Sequence, residues 1–133
     1  GLAHVWLGYG LLALLALRLS LALLGHPNSG KTALFNLLTG SRQKVANYAG
    51  VTVERKEGVI RASSGRTLSV LDLPGTYSLH AHSEDERITR DIVKGMHPRE
   101  APPELLVCVT DATHLRLNLR LVLEARALRG LYP

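Results

Sequence analysis

The chain has 133 residues, 46% of them hydrophobic and 20% charged, which suits one domain with a buried core and excludes a disordered chain. Its formal net charge is +5, but the basic residues are scattered and only 5% of the residues are aromatic. A surface that stacks nucleic-acid bases is therefore disfavoured, and we expect no nucleic-acid partner. A mildly basic protein that handles a small polyanionic ligand is the better interpretation.

Residues 1–18 are the most apolar part of the chain. The uninterrupted stretch 5–17 has 13 residues, fewer than the roughly 20 that cross a bilayer, and Arg18 follows it. A secretory signal would have a basic start and a small-residue cleavage site, and neither is evident here. We interpret the segment as an apolar leader of unknown role, with a membrane span as the weaker alternative.

Because the chain begins at Gly1 and ends at Pro133 in an unfinished run, we expect a piece of a longer protein.

The first predicted elements flank a glycine-rich loop. Residues 19–24, LSLALL, predict a short buried strand that ends at a glycine. Residues 31–39, KTALFNLLT, predict a helix with a glycine as its C-terminal cap. One face of this helix carries Leu34, Leu37 and Leu38, and we expect that face to be apolar and packed.

Three further strands are predicted downstream. Residues 51–62 and 66–73 read as two strands joined by the turn SSG. Residues 104–110, ELLVCVT, follow a proline-rich break and predict another buried strand. The single cysteine, Cys108, lies in this strand, where a core position is favoured over a reactive thiol.

A helix is predicted over residues 83–96. Ser83 is the expected N-cap, and Glu86 three residues later completes a capping box. The expected buried side repeats every four residues at Ile88, Ile92 and Met96.

The last segment, residues 115–129, has an ambiguous pattern. Its leucines alternate as in a strand, but its composition of Leu, Arg, Ala, Asn and Glu is typical of a helix. Arg120 and Glu124 would also pair at i, i+4. We therefore predict a helix. The order of elements indicates a layered α/β domain with helices on both faces of a mostly parallel sheet, truncated after its third helix.

Residues 25–32, GHPNSGKT, match the phosphate-binding pattern G-x-x-x-x-G-K-[ST]. The glycines let successive backbone N–H groups point at a polyphosphate, and the following helix adds the positive end of its dipole. Lys31 is expected to reach the β- and γ-phosphates, and the Thr32 hydroxyl to bind Mg²⁺. Because a strand and a helix flank the motif, a chance glycine turn is the weaker interpretation, and the fold is predicted to be a P-loop NTPase.

Two more elements would complete a nucleotide switch. Asp72 begins the sequence DLPG at the end of a predicted strand, where its carboxylate can hold a magnesium-bound water and the Gly75 N–H can sense a γ-phosphate. Thr52, in GVTVE, can donate its hydroxyl to the same Mg²⁺ and release it when the γ-phosphate leaves. Each has an ordinary alternative: a turn for DLPG, and a strand-forming threonine for Thr52.

The strings NYAGVTVERKEG, DLPGTYSL and VTDATHLRLNLRLVLEA are more specific than the phosphate loop. Through them the chain resembles the N-terminal G domain of FeoB, the bacterial ferrous iron transport protein, over about residues 19–129. The resemblance implies a Ras-like GTP switch in residues 19–133, attached in the full protein to a membrane-embedded Fe²⁺ transport domain. It also implies a place at the cytoplasmic face of the bacterial inner membrane, slow GTP hydrolysis, switch loops over residues 41–52 and 73–86, and the possibility of an oligomer.

The resemblance also implies a set of site residues. Catalytic roles fall to Lys31, Asn28, Thr52 and Gly75. Mg²⁺ would be held by Thr32, Thr52 and Asp72, the last through water, and a K⁺ ion would lie at Asn28. The nucleotide-binding residues would be Gly25, His26, Pro27, Asn28, Ser29, Gly30, Lys31, Thr32, Gly50, Val51, Thr52, Val53, Glu54, Asp72, Leu73, Pro74 and Gly75.

Several positions depart from the family pattern. His26 stands where the family usually has Asn, and Thr76 with Tyr77 leaves no glutamine to orient water after Gly75. The Asn-x-x-Asp element that reads guanine in the family does not occur in this sequence, so guanine specificity rests on the resemblance.

Other interpretations stay open from the sequence alone. His80 and His82 could form a metal site, although solvated loop histidines are favoured. The chain could belong to another P-loop GTPase or ATPase, serve as an interaction module that binds no nucleotide, or be a fragment that is inactive by itself.

Overall fold

A computed structural model describes residues 19–130, so the predicted leader at residues 1–18 lies outside the described part. Within that part, no helix has both the length and the apolar character needed to cross a membrane. The elements are β1 (Leu19–Gly25), α1 (Lys31–Thr39), β2 (Gln43–Asn47), β3 (Glu54–Arg61), β4 (Thr67–Asp72), α2 (Glu84–Lys94), β5 (Leu105–Val109), a 3₁₀ turn (Ala112–His114) and α3 (Leu115–Leu128).

The strands form one mixed sheet in the order β2-β3-β4-β1-β5. β1 runs parallel to both β4 and β5, whereas β3 is antiparallel to β2 and to β4. The strands other than β3 therefore share one direction. The predicted α/β class and the mostly parallel strand directions are confirmed.

Alternation along β1 distributes the helices to the two faces of the sheet. Ala22 and Leu24 belong to a core cluster that includes Ile92 of α2 and Leu121 of α3. Leu23, which points to the opposite face, packs with Phe35 of α1. Helices therefore cover both faces, as predicted, with α1 on one side and α2 and α3 on the other.

The strand predictions were wrong in two places. β2, at 43–47, was not predicted, because its sequence QKVAN is polar and all but its first residue is exposed. The strand predicted from residue 51 begins at Glu54, and the preceding residues form a loop. An exposed edge strand lacks the apolar pattern from which strands are recognised, since it has little surface to bury.

Helix α1 does not bury the predicted leucine face. Leu37 is 82% exposed and Leu38 is 37% exposed, whereas Lys31, Phe35 and Thr39 are buried. The rotation of the helix is set by what lies at its two ends. At one end of the helix the Lys31 side chain is directed into a polar site, and at the other end Thr39 packs against the sheet. The face that carries both residues is therefore the buried one.

Thr39 rests directly on Gly58 of β3. The Thr39 hydroxyl donates a 2.7 Å hydrogen bond to the Phe35 carbonyl, which turns its methyl group towards the strand. A Cβ at Gly58 would lie 2.3 Å from the Thr39 methyl carbon, closer than such atoms can approach. Glycine at position 58 is therefore what allows the end of α1 to pack on the sheet.

Helix α2 follows most of its prediction. The Ser83 hydroxyl accepts a 3.2 Å hydrogen bond from the Glu86 N–H, which confirms Ser83 as the N-cap. The Glu86 carboxylate accepts from the Ser83 hydroxyl, whereas in a standard capping box it accepts from the backbone N–H of the N-cap residue. Ile88 and Ile92 are buried as predicted. Met96 is 62% exposed, because the helix ends at Lys94 and the chain turns away from its axis.

The prediction of a helix at the last segment is confirmed by α3, which buries Asn118, Leu121 and Ala125. Arg120 and Glu124 form the predicted i, i+4 ion pair at 3.8 Å. Cys108 in β5 packs against the main core cluster, and burial raises the pKa of its thiol. A thiol with a raised pKa is a poor nucleophile, which agrees with a structural role for this cysteine.

Candidate functional site

The loop 26–30 connects the end of β1 to the first residue of α1. Asn28 has φ 66° and Gly30 has φ 91°, so two left-handed residues flank Ser29. The Ser29 N–H donates to the His26 carbonyl at 3.2 Å and closes the turn. Left-handed residues on both sides of Ser29 bend the backbone into a concave loop whose N–H groups can face an anion. At Gly30 the left-handed conformation requires glycine, whereas asparagine tolerates it at position 28.

Lys31 and Asp72 form a buried ion pair at the start of α1. Each residue is 6% exposed, although the two lie far apart in the sequence. Asp72 ends β4 and is paired in register with Leu23 of β1, so the carboxyl end of β4 lies beside the phosphate loop. The Thr32 hydroxyl is 3.5 Å from the second carboxylate oxygen of Asp72. Three of the predicted side chains therefore converge.

This group of oxygens fits a Mg²⁺ ion. Hydroxyl and carboxylate oxygens are the ligands that this small, hard cation prefers. A cavity of about 200 Å³ opens beside them. It is lined by Lys31, Thr32, Val53, Glu54, Lys56, Asp72, Leu73, Pro74, Gly75 and Asp85. Val53 and Glu54 thus line the same cavity as Thr32 and Asp72, the predicted magnesium ligands.

A second cavity, of about 560 Å³, lies over the phosphate loop. Most of its lining comes from residues 26–33, and Gly75 closes one side, where it lies against Pro27. The Thr76 N–H donates to the Gly25 carbonyl at 3.1 Å, so the segment after Gly75 is bonded to the phosphate loop itself. We call residues 73–80 the Gly75 loop.

Residues 48–53, the Thr52 loop, are only partly brought into the site. Val53 is buried and lines the small cavity, but Gly50 and Thr52 are exposed and line neither cavity. Inside the loop, the Tyr48 N–H donates to the Val53 carbonyl at 2.9 Å and the Val51 N–H to the Tyr48 carbonyl at 3.2 Å. The role of Thr52 as a ligand of Mg²⁺ therefore stays a prediction.

His26 links the phosphate loop to the Gly75 loop. The residue is 9% exposed, and its ring makes an edge-to-face contact with Tyr77, with the ring centroids 5.1 Å apart. Its Nε2 has no hydrogen-bond partner among the described residues. The position at which this sequence departs from the family pattern therefore carries an aromatic contact.

The weaker interpretation of His80 and His82 as a metal site is not supported within residues 19–130. No three His, Cys, Asp or Glu side chains of this part converge as metal ligands, and the His80 side chain is 78% exposed. His80 and His82 instead line a cavity of about 740 Å³ beside the phosphate loop. The favoured interpretation, that these are solvated loop histidines, agrees with the exposure of His80.

Sequence reasoning missed a polar cluster at the start of α3. The Asn118 amide accepts from the Asp111 N–H at 3.0 Å and donates to the His114 carbonyl at 2.9 Å. The Asp111 carboxylate accepts from the Thr113 hydroxyl and N–H, and these hydrogen bonds lower its pKa. An Asp followed two residues later by Thr is a local turn signal that could have indicated the cap. Asn118 had no such signal.

A family model described as "Ferrous iron transport protein B" matches residues 19–130. The chain belongs to the FeoB family. It is 47% identical over 107 residues to the Fe(2+) transporters FeoB of Salmonella typhimurium and of Escherichia coli K12. These matches cover 80% of the chain but 14% of each FeoB transporter.

Solved FeoB structures show the same fold. The G domain of the T. maritima FeoB iron transporter matches with a TM-score of 0.75 at 46% identity, covering 84% of this chain and 67% of that domain. The cytosolic domain of the same transporter in its GMPPNP form matches with a TM-score of 0.73 at 46% identity, covering 81% of this chain and 40% of the other. The predicted fold, a P-loop G domain, is confirmed.

Proposed function

We propose that this chain provides the phosphate-binding and switch part of a GTP-binding domain in a ferrous iron transporter. The observation that carries the proposal is the convergence of Lys31, Thr32 and Asp72 at the mouth of a concave loop. FeoB relatives of this fold have been crystallised in GDP and GMPPNP forms, which supports a guanine nucleotide as the ligand. The preference for guanine over other bases is inferred from the FeoB relatives.

In the proposed reaction, Lys31 leaves Asp72 and pairs with the β- and γ-phosphate oxygens, while loop N–H groups hold the chain of phosphates in line. The Thr32 hydroxyl would bind Mg²⁺, the Asp72 carboxylate would hold the ion through water, and the ion would neutralise charge on the phosphates. The Gly75 N–H would donate to a γ-phosphate oxygen while water attacks the phosphorus in line with the bond to GDP, the leaving group. Because Thr76 and Tyr77 provide no glutamine to orient that water, we expect slow hydrolysis.

Two further parts of the proposal concern the surroundings of the γ-phosphate. A K⁺ ion at Asn28 would add a fixed positive charge as negative charge spreads over the transferred group. Thr52 would move from its exposed position to Mg²⁺ when GTP binds and return when the γ-phosphate leaves. The Thr52 loop and the Gly75 loop would thereby report the nucleotide state.

The partner of this switch would be the membrane-embedded Fe²⁺ transport domain of the same parent protein. Support comes from the FeoB relatives, which are Fe(2+) transporters, and from a solved relative described as a cytosolic domain. We place the switch at the cytoplasmic face of the bacterial inner membrane, coupled to iron uptake and able to form an oligomer.

Titration with fluorescent GTP and ATP analogues in Mg²⁺, with K⁺ and then Na⁺, tests the proposal. We expect GTP to be preferred, and Lys31→Ala to weaken binding roughly tenfold or more, since it removes a charge-assisted contact. Lys44→Ala, at an exposed lysine of β2, is the matched control and should bind as the parent does.

Three outcomes would overturn part or all of this proposal. A preference for ATP would identify another kind of P-loop protein. Absence of nucleotide binding by the parent chain would favour an interaction module or an inactive fragment. Equal affinity for the GTP analogue in K⁺ and in Na⁺ would contradict the potassium site at Asn28, although the proposed switch would stand.

A further inference from the structure

Helix α3 carries one carboxylate, that of Glu124, and it is directed at the Gly75 loop rather than at solvent. The Leu79 N–H donates to Glu124 Oε2 at 2.8 Å, and the Ser78 hydroxyl donates to the same oxygen at 3.1 Å. Leu79 is 5% exposed, so the bond lies at the edge of the core. The loop is thereby fastened to a helix 45 residues away in the sequence.

The surroundings of Glu124 explain how a carboxylate is tolerated there. Its side chain is 18% exposed, and a half-buried charge is costly unless donors meet it. The two donors of the loop meet it directly. Arg120 Nε and His80 Nε2 each lie 3.8 Å from its other oxygen. If residues 78–80 moved away, the carboxylate would lose both of its hydrogen-bond donors among the described residues and keep only the Arg120 guanidinium of its own helix nearby.

The other end of the loop is fastened separately. The Thr76 N–H donates to the Gly25 carbonyl at 3.1 Å, and the Thr76 hydroxyl lies 3.1 Å from a Glu86 carboxylate oxygen. Gly75, the residue expected to meet the γ-phosphate, lies immediately before this attachment. The loop is therefore held at two points, Thr76 and Leu79, and loss of the bond at Leu79 leaves it held on the Thr76 side alone.

We propose that Glu124 is a positioning residue that latches the Gly75 loop to α3 and so sets how strongly the site discriminates GTP from GDP. The inference rests on the proposed nucleotide switch and adds its regulation. With the latch closed, Gly75 stays against Pro27, ready to donate to a γ-phosphate. With the latch removed, part of the free energy of GTP binding is spent on ordering the loop, whereas GDP binding has no such cost.

The latch is tested first without nucleotide, by NMR-detected hydrogen exchange of the Leu79 amide in the full chain. Glu124→Ala should speed exchange roughly tenfold, because a charge-assisted bond is lost. Glu124→Gln keeps an acceptor oxygen without the charge and should give roughly a threefold increase. Glu104→Ala, at an exposed glutamate before β5, should leave the Leu79 amide unchanged.

The second measurement is the ratio of affinities for GMPPNP and GDP. We expect Glu124→Ala to lower this ratio several-fold, Glu124→Gln to restore most of it, and GDP affinity to stay within twofold in both. A purely structural role would weaken both nucleotides equally and would not be rescued by glutamine.

The two measurements separate failure of the latch from failure of the proposed function. Unchanged exchange of the Leu79 amide in both folded variants overturns the latch. Faster exchange with an unchanged affinity ratio overturns its role in discrimination. Faster exchange in the variants, together with a parent chain that binds no nucleotide, overturns the proposed function, and with it the role of the latch in that function. If Glu124→Ala does not fold, Glu124→Gln decides each point.

Discussion

The Gly75 loop and the Thr52 loop are both expected to respond to a γ-phosphate, yet they are attached to the domain in different ways. Hydrogen bonds tie the Gly75 loop to β1, to Thr89 and Glu86 of α2 and to Glu124 of α3. The Thr52 loop is bonded mainly across its own ends, with Tyr48 buried and Thr52 exposed. The first loop is therefore placed by the folded domain, whereas the second depends on a ligand to place its central residue.

The largest effect on stability is expected at Asp72, the residue directly before the Gly75 loop. Asp72→Ala leaves Lys31 buried without its carboxylate, and we expect the free energy of unfolding to fall by about 3 kcal/mol. Urea unfolding followed by circular dichroism measures the change. Asp85→Ala, at an exposed carboxylate on the rim of the small cavity, is the control and should change little. A loss below about 1 kcal/mol for Asp72→Ala would show that Lys31 finds another partner.

An intermediate effect is expected where the Thr52 loop enters the core. The Tyr48 side chain is 2% exposed and its hydroxyl has no hydrogen-bond partner among the described residues. Tyr48→Phe removes this buried polar group, so we expect the free energy of unfolding to rise by about 1 kcal/mol at neutral pH. A fall in stability after this substitution would mean that the hydroxyl is satisfied in solution.

The same tyrosine predicts a dependence on alkaline pH. Burial, and next the negative charge of Glu100, raise the pKa of Tyr48 well above its ordinary value of 10.0. The unfolded chain therefore loses this proton at lower pH than the folded chain does. The contribution to stability is complete below pH 10 and is lost as the pH rises further, so the parent should lose stability more steeply than Tyr48→Phe.

The smallest effect on stability, and the most selective effect on binding, is expected at Thr52. Because its side chain is exposed, Thr52→Ala should change the free energy of unfolding by no more than about 0.5 kcal/mol. It should weaken Mg²⁺-dependent binding of GMPPNP while leaving GDP binding nearly unchanged. Thr32→Ala, which alters a predicted Mg²⁺ ligand in both states, should weaken both, and calorimetric titration distinguishes the two patterns. Equal losses of affinity for GMPPNP and GDP in Thr52→Ala would count against a switching role.

The parts of the molecule that were predictable are those in which neighbouring residues decide the structure. The phosphate loop lies between a buried strand and a helix, and the N-cap at Ser83 needs only residues within one turn. Asp72 was predictable from its place at the end of an apolar strand. Its pairing with Lys31 follows from the parallel register of β1 and β4.

The parts that were missed depend on contacts between distant segments. Strand β2 is formed by pairing with β3, since its own residues bury little surface. The rotation of α1 is decided by Lys31 and Thr39, whose partners lie on β4 and β3. Glu124 looked like half of a surface pair with Arg120, and only the folded chain brings Leu79 to it. Short-range patterns contain no information about such partners.

The contact of Thr39 with Gly58 fixes the C-terminal end of helix α1 on the middle of β3, at the end of the helix opposite to Lys31. α1 has nine residues and is about 13 Å long, so it behaves as a stiff rod that bears on β3 at one end and holds Lys31 at the other. A side chain added at position 58 would push on the foot of this rod, and the displacement would arrive at the lysine. The position of Lys31 therefore depends on the absence of a side chain at Gly58, a residue packed against the other end of the helix.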